Sequence, residues 1–227
     1  MGLLSTDDIF YDQINDKRVI EEWIKSNYNI YGDLTISDDF VVNCAGEVNV
    51  NNKSITSLTN DLFRWGKVDG MFNCSSCENI TTLEGSPKIV GGSFYCGSCK
   101  NLTSLEGAPE KVCGGFSCSR CDKLTSLEGA PKEVGKNFYC SYCDNLISLE
   151  GAPKVVGDDF LCHCCNNLKT LKGGPEKVGK DFNCIMCNNL RTLKGAPEVV
   201  RGLACYNCKN LTITDSDRKK YKICNLS

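Results

Sequence analysis

Apolar residues in this chain recur with a period of 22 residues rather than at the spacing of one helix face. Phe72, Phe94, Phe116, Phe138, Phe160 and Phe182 keep the period. So do Leu83, Leu105, Leu127, Leu149, Leu171 and Leu193, and all six prolines from Pro87 to Pro197. Leu203 follows Phe182 after 21 residues, one residue being missing between Val200 and Leu203. The unit reads F-x-C-x-x-C-x-N-L-T-S-L-E-G-A-P-x-x-V-G-x-x. Its F-x-C start alternates apolar and variable positions, which predicts a half-buried strand. A corner and an L-x-x-L piece follow. Gly-Ala-Pro cannot lie inside a helix, because Pro lacks an amide donor and restricts the residue before it. That segment predicts an extended or polyproline return path, and the glycines before the next Phe make a second bend. One unit cannot bury its own apolar side, so units must stack about 5 Å apart into a parallel sheet over a continuous core.

The ends break the period. In KRVIEEWIKSN, Val19, Ile20, Trp23 and Ile24 fall on one helical face, with Asn15 or Asp16 as the N-cap. YGDLTISDDFVVNCAG predicts two short strands around Ser37-Asp38-Asp39. Val48 to Leu58, VNVNNKSITSL, is a degenerate first repeat. SDRKKYKICNLS predicts a short helical or irregular cap whose Lys219, Lys220 and Lys222 form a solvated face. The expected organisation is an N-terminal helix and hairpin cap at 1–45, a solenoid at 46–214 with six to seven repeats after the degenerate one, and a C-terminal cap at 215–227.

The segment Val90 to Leu102, V-G-G-S-F-Y-C-G-S-C-K-N-L, resembles the strand segment of leucine-rich repeats, L-x-x-L-x-L-x-x-C-x-x-L. Phe94 takes the second Leu slot, Cys96 the third, Cys99 the Asn/Cys slot and Leu102 the last. The LTSLEGAP stretch is similar to repeats of bacterial and phage leucine-rich-repeat proteins. One departure is four residues rather than three from Val to Phe. The resemblance covers about residues 46–214. It implies an α+β, all-β-leaning solenoid with a parallel sheet on the concave face, an extended return side and a small N-terminal helix. It also implies a recognition scaffold, and a bacterial, phage or related viral source.

Composition narrows the function classes. Twenty-six Lys+Arg against 28 Asp+Glu give a net charge of −2, without the basic excess of a general nucleic-acid binder. No apolar run is long enough to span a membrane. The N-terminal MGLLSTDDIFYDQ lacks a charged-then-apolar signal pattern, so the expected location is cytoplasmic, the host cytoplasm for a phage or viral protein. No phosphate-binding glycine loop and no Ser-His-Asp arrangement occurs, and the expectation is a non-enzyme without cofactors.

Eighteen cysteines stand against one histidine. C-x-x-C recurs at Cys74/Cys77, Cys96/Cys99, Cys118/Cys121, Cys140/Cys143, Cys162/Cys165, Cys184/Cys187 and Cys205/Cys208. The spacing also fits a zinc pattern, so a metal-binding ladder and structural disulfides stand as alternatives to buried thiols. The repeat favours thiols. The first Cys fills an inward slot as a small hydrophobe, and the second sits at the corner, where it can donate weakly to backbone. Each pair has two equivalent neighbours, whereas a four-thiolate site needs one definite partner. Cys164 beside His163 is an extra thiol, expected to be exposed and incidental, because nothing in the sequence orients the imidazole as its base. Asn79 and Asn101 match glycosylation strings but occupy the repeat's Asn place, as turn residues.

With Phe and the first Cys inward, the residue between them and the two after that Cys point outward. Early turns carry mostly small polar residues there, with Tyr95 and Arg120 among them. Later turns carry Tyr139, Tyr142, Leu161, His163, Ile185, Met186 and Tyr206, with Asp158, Asp159 and Asp181 as an acidic margin. Exposed apolar and tyrosine-rich patches mark interaction sites. The expected function is a protein-binding module using this concave face. A structural, self-associating or virion-associated protein is the alternative, with a homo-oligomer as its form.

Overall fold

A 22-residue turn exposes too much apolar surface to fold alone, so the contacts between turns govern the structure. The computed structural model describes residues 6–224 as a parallel β-solenoid of about seven turns. The remaining residues of the two expected caps, 1–5 and 225–227, lie outside the described chain. Each unit contributes a two-residue strand at its Phe, such as Phe94–Tyr95 or Phe116–Ser117. These strands pair parallel and in register, Phe116 on Phe94 and on Phe138. The ladder runs on past them: the amides of Cys96 and Ser98 each donate to carbonyls of the next turn at 2.8 Å. Among the described residues this main sheet has ten strands.

In-register pairing turns each apolar position into a buried column. Phe72 through Phe182 are fully buried. Their rings stack with centroids 5.1–5.5 Å apart and planes within 12°, the separation of offset rather than face-on stacks. Leu83, Leu105, Leu127 and Leu149 form a second buried column and Val90, Val112, Val134 and Val156 a third. Each such side chain contributes roughly 1.5–3 kcal/mol of transfer free energy.

The return side holds more order than an extended strand path. Its valines lie in two-residue strands, including Ile89–Val90, Lys111–Val112, Glu133–Val134, Val155–Val156 and Lys177–Val178. With the strands of the N-terminal cap they form an eight-stranded second sheet among the described residues. The residue missing before Leu203 is absorbed here. Val199 makes a single bridge to Lys177, while Leu203 keeps its place on Phe182 in the main sheet.

Two kinds of bend connect the sheets. In Leu105-Glu106-Gly107-Ala108 the Ala108 amide donates to the Leu105 carbonyl at 3.0 Å, and Gly107 has φ 82°. This is the type II turn that needs glycine at its third position. A Cβ on Gly151, at the equivalent place two turns on, would fall 2.3 Å from the Glu128 amide nitrogen, so backbone proximity demands glycine as well. The other bend, between the two cysteines, has no glycine at its left-handed residue. Ser76, Ser98, Arg120, Tyr142, Cys164, Met186 and Asn207 all have φ of 57–61°. The bend carries the second Cys under the preceding turn. Cys99 Sγ donates to the Cys74 carbonyl at 3.3 Å, and the same bond recurs up to Cys208 on Cys184 at 3.0 Å. The thiols thus act as corner donors to backbone, as their place in the repeat allows.

At its first end the coil is sealed. The N-terminal helix spans Thr6–Asn27. It starts earlier than expected, so Asn15 and Asp16 lie inside it and do not cap it. Ile20 and Ile24 are fully buried and Trp23 partly, but Val19 is 45% exposed. The buried stripe runs through positions 20, 24 and 27, and Val19 falls at its margin. Trp23, Tyr28, Phe63 and Trp65 pack as tilted and edge-on pairs over the end of the Phe column. The Tyr28 hydroxyl and the Trp65 indole both donate to the Leu58 carbonyl, at 2.7 and 3.0 Å. Tyr28–Tyr31 pairs antiparallel with Glu47–Val50 on the main sheet. Leu34–Ile36 pairs antiparallel with Val41–Cys44 on the second, as the expected hairpin. Each sheet therefore ends here in an antiparallel strand. The degenerate first repeat joins in register, Val48 on Phe72. At the other end Thr214 and Asp217 form a capping box for the helix Asp215–Lys220, and Ile223–Cys224 adds a parallel strand beside Gly202–Ala204. Lys219, Lys220 and Lys222 are exposed.

Gly151→Ala should lower stability by at least about 1–2 kcal/mol, the cost of a left-handed L-residue, before the clash is added. Gly97→Ala lies on backbone without positive φ, with its nearest atom 3.1 Å away, and should cost less. Urea unfolding of the two variants measures the difference.

Candidate functional site

Alternation along each strand puts Phe and the first Cys inside and the residues between and after them outside. The outward positions form three columns. Tyr139 and Leu161 stand in the first, and His163, Ile185 and Tyr206 in the second. Tyr142 and Met186 stand in the third, at the left-handed corner. The structure brings all seven onto one face. Tyr142 and Met186 are 40% and 46% exposed. The other five are half-buried, because each is flanked by the turns above and below it.

Tyr142 is held from two sides. The Arg120 guanidinium lies 4.4 Å over its ring, and the His163 imidazole packs edge-on at 5.2 Å. Its neighbour Ser141 is only 3% exposed. The Ser141 hydroxyl donates to the Leu161 carbonyl at 3.2 Å and lies 2.9 Å from His163 Nδ1. A hydroxyl proton on Leu161 lets Oγ accept from Nδ1–H, and one on Nδ1 makes that nitrogen the acceptor. Burial disfavours the imidazolium and holds the His163 pKa below its ordinary 6.5. The imidazole is thus engaged by Ser141. Cys164, half-exposed, makes its contact through Sγ with Met186 Sδ at 3.7 Å.

A groove runs beside the corner column. Cys164 and Met186 line one wall and Asn166 and Asn188 the other. The amide wall is tied turn to turn, Asn166 Nδ2 donating to Asp144 Oδ1 at 3.0 Å and Asn188 Nδ2 to Asn166 Oδ1 at 2.9 Å. Toward the early turns it continues past Arg120 and Asp122. The sequence gives no sign of this groove, because no glycine or asparagine run marks the left-handed corner that shapes it.

The acidic margin differs from expectation. Asp158 pairs with Lys180 at 3.0 Å and Asp181 with Arg201 at 2.9 Å. The Arg201 hydrogen bond holds the Asp181 carboxyl below its ordinary range, and Asp159 accepts the Asp181 amide at 2.9 Å. Two of the three carboxylates are thus ion-paired one turn away, and the third, Asp159, accepts a backbone amide there. Asn79 and Asn101 donate to Ser54 and Glu78 carbonyls of the preceding turn, as turn residues do.

Fourteen of the seventeen described cysteines are buried, and no disulfide joins any two of them. The inward members, Cys74, Cys96, Cys118, Cys140, Cys162, Cys184 and Cys205, lie in one dry column. Of the corner members, Cys77 is buried. Each of the rest is committed to a carbonyl of the preceding turn. Cys99 donates to Cys74, Cys121 to Cys96 and Cys143 to Cys118, each at 3.3 Å. Cys165 donates to Cys140 and Cys187 to Cys162 at 3.1 Å, and Cys208 to Cys184 at 3.0 Å. Cys143 and Cys187, read from the spacing as candidate metal ligands, are therefore hydrogen-bond donors of the corner. Burial pushes the Cys99 thiol up to about 12 and those of Cys74, Cys96 and Cys140 well above the ordinary value. A metal would have to take the corner protons and break the bonds to carbonyl that they make. Among the described residues no group of three or more His, Cys, Asp and Glu is arranged to hold an ion.

Native alkylation mapped by peptide mass spectrometry should label Cys113, which is exposed, and Cys164 first. Cys96, Cys118, Cys140 and Cys162 should react only as fast as the chain unfolds, and rapid labelling of any of them would show an open ladder. The single histidine gives a clean proton-NMR titration, with a midpoint below 6.5 in the folded chain. The unfolded chain then binds more protons, so stability falls as pH drops from 6.5 to that lower midpoint and is unaffected above it. No family model, curated protein or solved structure matches the chain.

Proposed function

We propose that the chain is a non-enzymatic protein-binding module that engages its partner with the outward face of the last four turns. One observation carries the reading: Tyr142 and Met186 stand exposed, beside half-buried Tyr139, Leu161, Ile185 and Tyr206, on a surface where the fold requires none of them. The same backbone positions in earlier turns are filled by Ser76, Gly97 and Ser98 without loss of register. Bulky groups that a fold does not need, gathered on one face, are the composition of interface centres. Tyr142 is fixed between Arg120 and His163, so less side-chain freedom is lost when it binds.

The resemblance to leucine-rich repeats of bacterial and phage proteins supports a recognition role and such a source. A reducing compartment such as the cytoplasm fits the corner cysteines, which serve the fold as thiol donors. No helix among the described residues is long and apolar enough to cross a membrane.

Affinity capture from lysate of the source organism, or of its host, is the test. The paired substitution Tyr142→Asp and Met186→Asp should abolish capture of the partner and leave the melting temperature unchanged. Capture that survives both changes would refute the face. Light scattering on the purified chain separates this reading from self-association, which predicts a mass above that of one chain.

A further inference from the structure

The thiol of Cys164 and the thioether of Met186 meet in adjacent turns at the rim of the groove, Sγ to Sδ 3.7 Å. Both occupy the left-handed corner, at φ 58° and 57°, which aims successive side chains the same way one strand spacing apart. Both are reachable, Cys164 half-exposed and Met186 46% exposed. Elsewhere this column holds Ser76, Ser98, Arg120, Tyr142 and Asn207, so two sulfurs fall together here on backbone positions whose spacing the solenoid fixes. The groove beside them, lined also by Asn166, Asn188, Asp144 and Lys209, leaves room for an ion and for water ligands.

From this juxtaposition we propose that Cys164 and Met186 form a binding site for a soft monovalent metal ion, copper(I) being the probe of that class. Thiolate and thioether sulfur are the donors that select copper(I) over harder cations. Met is flexible enough to swing its sulfur into the ion's preferred geometry. Binding forms a bond from the metal to Sγ and a weaker one to Sδ, and it releases the Cys164 proton to solvent. The ion enters and remains as copper(I), so no electron is transferred. The site lies on the proposed interface but needs no partner, and its test uses metal alone.

The experiment is an anaerobic competition titration of copper(I) against bicinchoninate, on a Cys113→Ser background that removes the exposed thiol of the second sheet. That variant should take up one equivalent and keep its circular-dichroism spectrum. Adding Cys164→Ser or Met186→Leu should each weaken uptake by more than the roughly 10–100-fold typical of losing an outer-shell partner. Absence of uptake, uptake indifferent to Met186→Leu, or uptake that unfolds the chain would each overturn the site. The last two would place the metal on a lone thiol or on the buried ladder.

Discussion

In a parallel coil with a constant period every side chain meets its own counterpart above and below, about 4.8 Å away. That constraint decides which residues each column can hold. Aromatic rings tolerate it by stacking with an offset, as the Phe column does. Amides tolerate it by donating to the next amide or carbonyl, as in the Asn166 and Asn188 pair. Carboxylates do not, since like charges at that distance repel. The sequence answers mostly by alternating sign or by leaving the column in solvent: Lys172 sits on Glu150 and Lys180 on Asp158, and Glu84, Glu106 and Glu128 are exposed; the half-buried Asp159 and Asp181, in adjacent turns, are the exception, with Arg201 paired to Asp181. Cysteine suits the constraint at a buried corner better than serine. It is small and apolar enough to fill a dry column, and it still offers one weak donor to the carbonyl below.

The left-handed corner shows how the stack enforces a local conformation that the residues themselves disfavour. A non-glycine residue there costs roughly 1–2 kcal/mol, and seven successive turns accept it. Glycine would relieve the strain, yet other groups secure the bend. The ladder bond of the corner residue itself, such as Ser98 to Ser119 at 2.8 Å, fixes it on one side. The following thiol fixes it on the other, as Cys121 does on the Cys96 carbonyl at 3.3 Å. A strained residue persists where its surroundings over-determine it. Because the side chain at that corner projects away from the core, its identity is released from packing. Ser, Arg, Tyr, Cys, Met and Asn all occur there without disturbing register.

These two facts separate what is legible in the chain from what is not. The Phe, Leu and Val columns, the inward Cys and the corner thiol all follow from period and alternation, because burial restricts residue type and so leaves a pattern. That pattern alone does not tell a thiol that donates to backbone from one that ligates an ion. Cys143 and Cys187 have the spacing of zinc ligands, and only the carbonyl under each shows what the sulfur does. The second sheet leaves a fainter trace. Its valines repeat, but two-residue strands such as Lys111–Val112 are too short to show alternation. The left-handed corner leaves none, because exposed side chains there are unrestricted and glycine is absent. Asn15 and Asp16 mislead about the helix start because they have the chemistry of a cap while helix propagation through them costs little. The acidic margin misleads because Lys180 and Arg201 lie 22 and 20 residues beyond the carboxylates they neutralise, a distance in sequence that only the coil closes. The outward face is legible as a set of positions, while the hold of Arg120 and His163 on Tyr142 is not.

A solenoid of this kind presents its partner with a surface whose geometry is set before binding. Rows are separated by the strand spacing and columns by the strand itself, and no hinge interrupts the described turns between Phe72 and Leu203, each paired in register with the next. Change at an outward position therefore alters chemistry without altering shape. The early turns, with Ser75, Gly97 and Ser119, and the late turns, with His163, Ile185 and Tyr206, occupy the same second column on the same backbone. Stability gives no reason for the later ones to be larger, since these side chains add little to the core that Phe and Leu already fill. Their size is then a property of the surface alone, and the rigid spacing that lets Cys164 reach Met186 is the same spacing that would hold Tyr142 and Met186 at fixed distance for a partner.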